Sequence, residues 1–378
     1  KGEKQMARKK ITSSQVAEKA GVSQATVSMV LNRKNNVSFS AETIEKVENA
    51  ARELGYELPG RKKKQKESRK EKLIVVFCPT LTSPYYVLLL QGIESVANEK
   101  GYGIFICNTQ RDAGLEEKYL RMIRTINPQG IIYACNPHPD FQQKVEELAK
   151  ELPVVIISNK EKTTTVDAIN QDNSEVGRLM ARHLLDLGHR DVAFITPPLT
   201  RRQWQRSRRI EGFVSEFEKE GLKGHVRIKA ADASIERRLP RMDSEYSMGY
   251  QLTRELLDEG CHFTAIAGQN DMMAFGAIDA LEEARVRVPK DVSVIGCDDI
   301  FYSGIRRLSL TTIDHFVALK GRDACDIIIR KITTNDQFYT GLQPTSLYNI
   351  EYTPKLITRK TTSYARTGKA FWEKSDVK

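Results

Sequence analysis

Residues 12–31 read Thr12-Ser13-Ser14-Gln15-Val16-Ala17-Glu18-Lys19-Ala20-Gly21-Val22-Ser23-Gln24-Ala25-Thr26-Val27-Ser28-Met29-Val30-Leu31, two short apolar-periodic stretches broken at Gly21-Val22-Ser23. Val16 and Ala20 lie four apart and Val27 and Val30 three apart, so each stretch turns one apolar face inward as a helix. Gly21 supplies a left-handed turn, Val22 fills the corner, and Ser23 is a helix N-cap. This spacing predicts a helix-turn-helix that leaves Gln24, Ala25, Ser28 and Met29 facing out toward base edges. A third helix is predicted from Ser40 to Leu54, with Ile44, Val47, Ala51 and Leu54 on one stripe, closing at Gly55-Tyr56. Three such helices make a small DNA-reading domain, placed at residues 6–58. A generic helical hairpin would share the apolar spacing but not the turn and the cap together.

Charge supports that reading. Of the 59 basic and 49 acidic residues, 18 and 9 lie within residues 1–72, which leaves 41 and 40 in the rest of the chain. A basic block on one end of a neutral body fits nucleic acid, where Lys and Arg displace condensed counterions, although an anionic membrane surface would favour the same bias. Residues 59–72, rich in lysine and almost without apolar side chains, read as a hinge or linker: a solvated tether or a segment in contact with DNA.

At 378 residues the chain has room for two or three domains. No run approaches the roughly 18 apolar residues of a membrane span, so no membrane partner is expected. The basic N-terminus lacks the apolar stretch of a secretory signal, which points to the cytoplasm and makes Met6 a candidate start. The six cysteines are scattered without a CxxC pair and are expected reduced.

From Lys72 onward, short apolar runs (Leu73–Cys78, Ile104–Cys107, Ile131–Ala134, Val154–Ile157, Val192–Ile195, Ala265–Ala267, Val292–Ile295) alternate with amphipathic helical stretches. Runs of that kind suit strands buried on both faces, so the body at 73–360 is predicted as parallel α/β with two doubly wound lobes and ligands at the carboxyl ends of the strands. Residues 361–378 read as a polar tail. There is no GxGxxG opening a helix, no GxxxxGK[ST], GxSxG or HExxH, and no Cys/His cluster, so neither an enzyme nor a metal or cofactor site is expected. His183 and His189, six apart, are read as flanking a helix.

The segment Val16–Asn32, closed by Leu54-Gly55-Tyr56, resembles the DNA-binding head of the lactose/galactose repressor family. The body agrees in order: Ser83-Pro84-Tyr85-Tyr86, Asp172-Asn173, Leu187-Gly188-His189-Arg190, Arg209-Ile210-Glu211-Gly212-Phe213, Asn270-Asp271, Val288-Pro289-Lys290-Asp291, Gly296-Cys297-Asp298-Asp299 and Leu310-Thr311-Thr312-Ile313. The resemblance implies a ligand-responsive transcriptional regulator: a helix-turn-helix head, a hinge, and a periplasmic-binding-protein-like core whose two lobes are joined by three crossings. It further implies a cytoplasmic homodimer on a palindromic double-stranded DNA operator, with a sugar, sugar acid or phosphosugar as effector. DNA contacts are then expected from Thr12, Ser23, Gln24, Ala25, Thr26, Ser28, Met29, Asn32, Lys62, Lys63 and Lys64. Effector contacts are expected from Ser83, Tyr85, Tyr86, Ser158, Arg209, Asn270, Asp298 and His315. Several have an alternative structural role: Asp298 as a turn cap, Asn270 as the N-cap of the next helix, the tyrosines as core. A non-DNA sugar receptor on the same core would carry an export signal and no head.

Departures from the family pattern carry information too. Thr80 and Ser158-Asn159 stand where the family commonly has an Asp and an Asp-Arg, while Arg201, Arg202, Arg206, Arg208 and Arg209 crowd one segment, which points to an acidic effector. Met29 replaces a frequent arginine and cannot donate to guanine. The hinge stretch Arg61–Lys66 lacks the family's leucine wedge, and a lysine there stays on phosphate or in water.

Overall fold

The computed structural model describes residues 11–31, 39–56, 72–159, 166–199, 204–232, 244–337 and 346–366. The chain divides into two compact units, residues 1–69 and 70–378.

In the first unit, α1 (Ser13–Ala20), α2 (Gln24–Leu31) and α3 (Ala41–Leu54) pack around Val16, Ala17, Val27, Val30, Val47, Ala50 and Ala51. Gly21 turns the chain at φ +67°, and the Thr26 amide donates to Ser23 Oγ at 3.1 Å, so turn and cap stand as their residue types require. Two core assignments change. Ala20 is half-buried and Ile44 is 37% exposed, while Ala17 and Ala50 take the inward places. The buried stripe of α3 is Val47, Ala50, Ala51 and Leu54, and Ile44 falls one turn before it.

The second unit has two parallel sheets. The first runs β11-β5-β4-β3-β1-β2 and the second β7-β6-β8-β9. Their strands are β1 (Leu73–Cys78), β2 (Gly103–Asn108), β3 (Gly130–Tyr133), β4 (Val154–Asn159), β5 (Asp167–Gln171), β6 (Val192–Thr196), β7 (Val226–Ala230), β8 (Ala265–Gly268), β9 (Ser293–Ile295) and β11 (Asn349–Tyr352). β1 shows why the apolar runs are continuous: Ile74, Val76 and Cys78 enter one core layer and Val75 and Phe77 the opposite one. Helices cover both faces: α4 (Pro84–Glu99), α5 (Ala113–Ile126), α6 (Gln142–Leu148) and α11 (Val317–Gln337) in the first lobe, α7 (Asn173–Asp186), α8 (Trp204–Lys219), α9 (Ser244–Asp258) and α10 (Asp271–Glu283) in the second.

The chain passes between lobes three times: after Gln171, through His315-Phe316, and between Tyr352 and Lys355. There β10 (Thr312–Asp314) and β12 (Lys355–Ile357) form an antiparallel pair. The C-terminal boundary moves. Thr361 is buried, its Oγ1 donates to the Val294 carbonyl, and Ala365 donates to the Leu187 carbonyl, so residues 361–366 belong to the second lobe rather than to a tail. Residues 367–378 lie outside the described ones. His183 lies on α7, and His189 is structural: its ring bonds Thr264 and the Ser363 carbonyl, and burial pushes its pKa down to about 4. All six cysteines are free, and among the described residues no helix is long and apolar enough to cross a membrane.

Candidate functional site

The site is built where strand ends and crossings converge. α7 and α8 carry Gly177 and Gly212 at their contact. A Cβ on Gly177 would fall on the Arg209 carbonyl, and one on Gly212 on the Ser174 carbonyl, so only glycine allows this approach. The close packing sets Arg209 of α8 against Asn173 at the start of α7. Its Nε and Nη2 donate to Asn173 Oδ1 at 3.1 and 2.6 Å, and Nη1 donates to the Gln269 carbonyl. Arg209 is 7% exposed, so its guanidinium is held rigidly and almost dry.

On the other side, Asp298 has φ +122° and Asp299 φ +48°, a backbone that L-residues rarely adopt and that marks a constrained site. His315 Nε2 donates to Asp298 Oδ1 at 3.0 Å. Its Nδ1 accepts from Lys320 Nζ at 2.9 Å, and Nζ also donates to Gln171 Oε1 at 2.7 Å. Gln171 Nε2 in turn donates to Asn173 Oδ1 at 3.1 Å. One hydrogen-bonded chain therefore runs Asp298–His315–Lys320–Gln171–Asn173–Arg209 through two of the three crossings.

Burial sets the electrostatics. It raises the Asp298 carboxyl well above the usual range against the pull of Arg209. It lowers His315, aided by repulsion from Lys320, so the imidazole is neutral. Lys320 is brought down to about 7, burial being the main cause, with repulsion from Arg209 against attraction from Asp298. Cys297, Asp298 and His315 bring possible ligand atoms within 4.8 Å of one another. With Lys320 as an ammonium donating to Nδ1, the ring proton of His315 lies on Nε2, facing Asp298.

Among the other expected effector contacts, the Tyr85 ring lies 5.8 Å from the His315 ring and packs edge-on against Tyr86 at 4.8 Å. The Arg111 guanidinium stands 5.9 Å from the Tyr86 ring. Ser83 Oγ donates across the lobes to Glu245 Oε2 at 3.4 Å. Asn270 fills the capping role: it is the N-cap of α10 and its Oδ1 accepts from the Met273 amide at 3.0 Å. The side chain of Ser158 lies outside the described residues.

In the head, Thr12 is the N-cap of α1 and its amide donates to Gln15. Gln24, Ala25 and Ser28 are exposed and Met29 is half-buried, while the Ser23 and Thr26 hydroxyls bond each other at 2.9 Å. Gln24 Nε2 donates to Ser13 Oγ at 2.8 Å, which fixes its side chain across the two helices. Asn32, Lys62, Lys63 and Lys64 lie outside the described residues.

Sequence reasoning missed Lys320, Gln171, Gln269, Arg111 and Glu245, and saw in Asn173 a landmark but no contact. Only Lys320 left a clear signal. It falls among Val317, Ala324, Ile327 and Ile328, on the apolar stripe of α11, where a lysine is out of place.

Residues 14–57 match the model of bacterial regulatory proteins of the lacI family, and residues 70–351 match that of periplasmic binding proteins and the sugar binding domain of the LacI family. This chain belongs to the LacI family. Among curated relatives of this LacI-family protein, the HTH-type transcriptional repressor PurR of Haemophilus influenzae (strain PittEE) is 31% identical over 346 residues, 92% of this chain and 97% of that one. Among solved structures, a LacI family transcriptional regulator from Enterococcus faecalis V583 with bound ribose is 26% identical with a TM-score of 0.64, covering 78% of this chain and all of the other. The Lac repressor bound to ONPG is 26% identical with a TM-score of 0.64, covering 94% and 100%. A LacI-family transcriptional repressor with a ligand-binding domain is therefore what the chain encodes, within a family of regulators rather than enzymes.

Proposed function

We propose that this repressor binds a palindromic operator in the cytoplasm as a homodimer and changes its affinity when a small molecule occupies the cleft between the lobes. Arg209 and Asp298 hold its hydroxyl groups, and the Tyr85–Tyr86 pair packs against its ring. The observation that carries this reading is the buried chain from Asp298 to Arg209, which uses both lobes and the crossings between them. A ligand bound there touches every part that must move for the lobes to close. Ribose and ONPG in the two solved relatives support a sugar-like effector. The head supplies operator contact through Gln24, Ala25, Ser28 and Met29, with Lys62, Lys63 and Lys64 adding phosphate contacts.

Operator selection with the full chain, followed by gel shift with and without sugars, tests the reading. A palindromic site whose affinity changes with ligand, and is lost when residues 1–72 are deleted, is the expected result. Specific DNA binding by the truncated core would overturn it.

A further inference from the structure

We propose that the effector carries an acid group, a carboxylate or a phosphate, and that Lys320 together with Arg209 receives it. This rests on the cleft being the effector site. Lys320 is 1% exposed and Arg209 7%, and among the described residues neither has a carboxylate oxygen within 4.0 Å. Their hydrogen bonds go to neutral acceptors: Gln171 Oε1 and His315 Nδ1 for the lysine, Asn173 Oδ1 and the Gln269 carbonyl for the arginine. An ammonium has three N–H donors and a guanidinium five, so one and two respectively remain unused. With Lys320 protonated, both are buried cations that repel each other with no carboxylate oxygen within 4.0 Å among the described residues, and burial pushes the lysine toward its neutral form unless an anion pairs with it.

The nearby carboxyl groups attract these cations but pair with neither. Asp298 commits Oδ1 to His315, and Asp271 is held by Ser303, Thr312 and the Ile300 amide. Glu245 accepts from Ser83, and Asp314 from the Phe316 amide. An acid group entering between Arg209 of the second lobe and Lys320 of the first would pair with both and draw the lobes together. A neutral sugar would leave both charges as they are. Lys320 is then a specificity-determining residue, choosing the acid over its neutral counterpart.

The test uses the full-length protein, with thermal melting and titration calorimetry at constant ionic strength. The probes are matched sets: glucose, gluconate and glucose 6-phosphate; galactose and galacturonate; ribose and ribose 5-phosphate; with citrate and inorganic phosphate as minimal acids. At least one acid member raises the melting temperature and its neutral partner does not; the carboxylate and phosphate arms separate the two chemistries. Lys320→Met and Lys320→Gln each weaken that acid at least tenfold, and Lys320→Arg restores part of the loss, with circular dichroism confirming that the variants fold. The proposal fails if no acid raises the melting temperature, or if the Met and Gln variants fold and bind the acid as wild type does. A neutral sugar that binds wild type and variants alike would sink the acid while leaving the cleft as the effector site; silence from every probe would count against both.

Discussion

Nζ of Lys320 lies 2.9 Å from Nδ1 of His315 and 2.7 Å from Oε1 of Gln171, so one side chain of α11 fastens two of the three crossings to each other. A buried lysine in that place destabilises the folded protein while it carries its charge, and the effect is readable as pH dependence.

The folded protein holds Lys320 near 7, against 10.5 for an ordinary lysine. Between those values the unfolded chain binds the proton and the folded one does not, so this group makes stability rise with pH from about 7 to 10.5. Below about 7 the whole destabilisation is present. Lys320→Met is expected to melt above wild type at pH 6, by a few kcal/mol at most, since each tenfold change in proton affinity is worth about 1.4 kcal/mol, with the gap closing toward pH 10. Calorimetric melts at both pH values decide it; an equal gap at each would show that the lysine is not titrating there.

Arg209 reaches Asn173 and the Gln269 carbonyl through separate nitrogens, a fork that lysine lacks. Arg209→Lys is expected to weaken the best ligand of the sugar and sugar-acid screen by about 1.5–3 kcal/mol in titration calorimetry, the scale of a charged hydrogen bond. Unchanged affinity would remove Arg209 from the site.

Gly177 faces the Arg209 carbonyl and the Phe213 amide, backbone that cannot swing aside. Gly177→Ala is expected to destabilise the core by about 1–3 kcal/mol in urea unfolding, as overpacking does, and to weaken ligand binding by displacing α8. Gly224→Ala, with nothing within 4 Å of the added methyl, is the control and should stay within about 0.5 kcal/mol of wild type.

Met29 is half-buried on α2, between the exposed Ser28 and the buried Val30. Met29→Arg should shift operator preference toward guanine at one position of each half-site, since arginine can pair with O6 and N7 and methionine cannot. Selection from a randomised library measures this. A strong guanine preference in the wild-type protein at that position would show that another residue reads it.

How far the sequence was legible follows from where the information sits. Gly21, Ser23 and the Val16/Val27/Val30 spacing are local signals, and the head they predict is the one observed. The seven apolar runs predicted seven strands, and six of them are buried on both faces, while Phe105 and Ile106 of the edge strand β2 stay exposed. β5 and β7 escaped notice because Asp167-Ala168-Ile169-Asn170-Gln171 and Val226-Arg227-Ile228-Lys229-Ala230 mix polar residues into the strand. In β5 those polar groups do the site's work: Gln171 takes part in the hydrogen-bonded chain, and Asn170 bonds Asn349. Asn270 had two readings in the sequence, and only its backbone setting favours the cap. Lys320 and Gln171 stand 149 positions apart, and no local pattern announces that they meet.

The bond that Lys320 makes to His315 at a crossing has a mechanical meaning. A crossing is the fulcrum about which a lobe turns, and a group bound at a fulcrum works with a short arm on one side and the full length of a lobe on the other. Under the proposed closure, a small shift in the Lys320–His315–Asp298 contacts is geared up to a larger travel of the lobes. Such gearing rewards stiffness at the centre. It gives a reason for the dense bonding at the crossings and for the glycines that bring two helices into backbone contact.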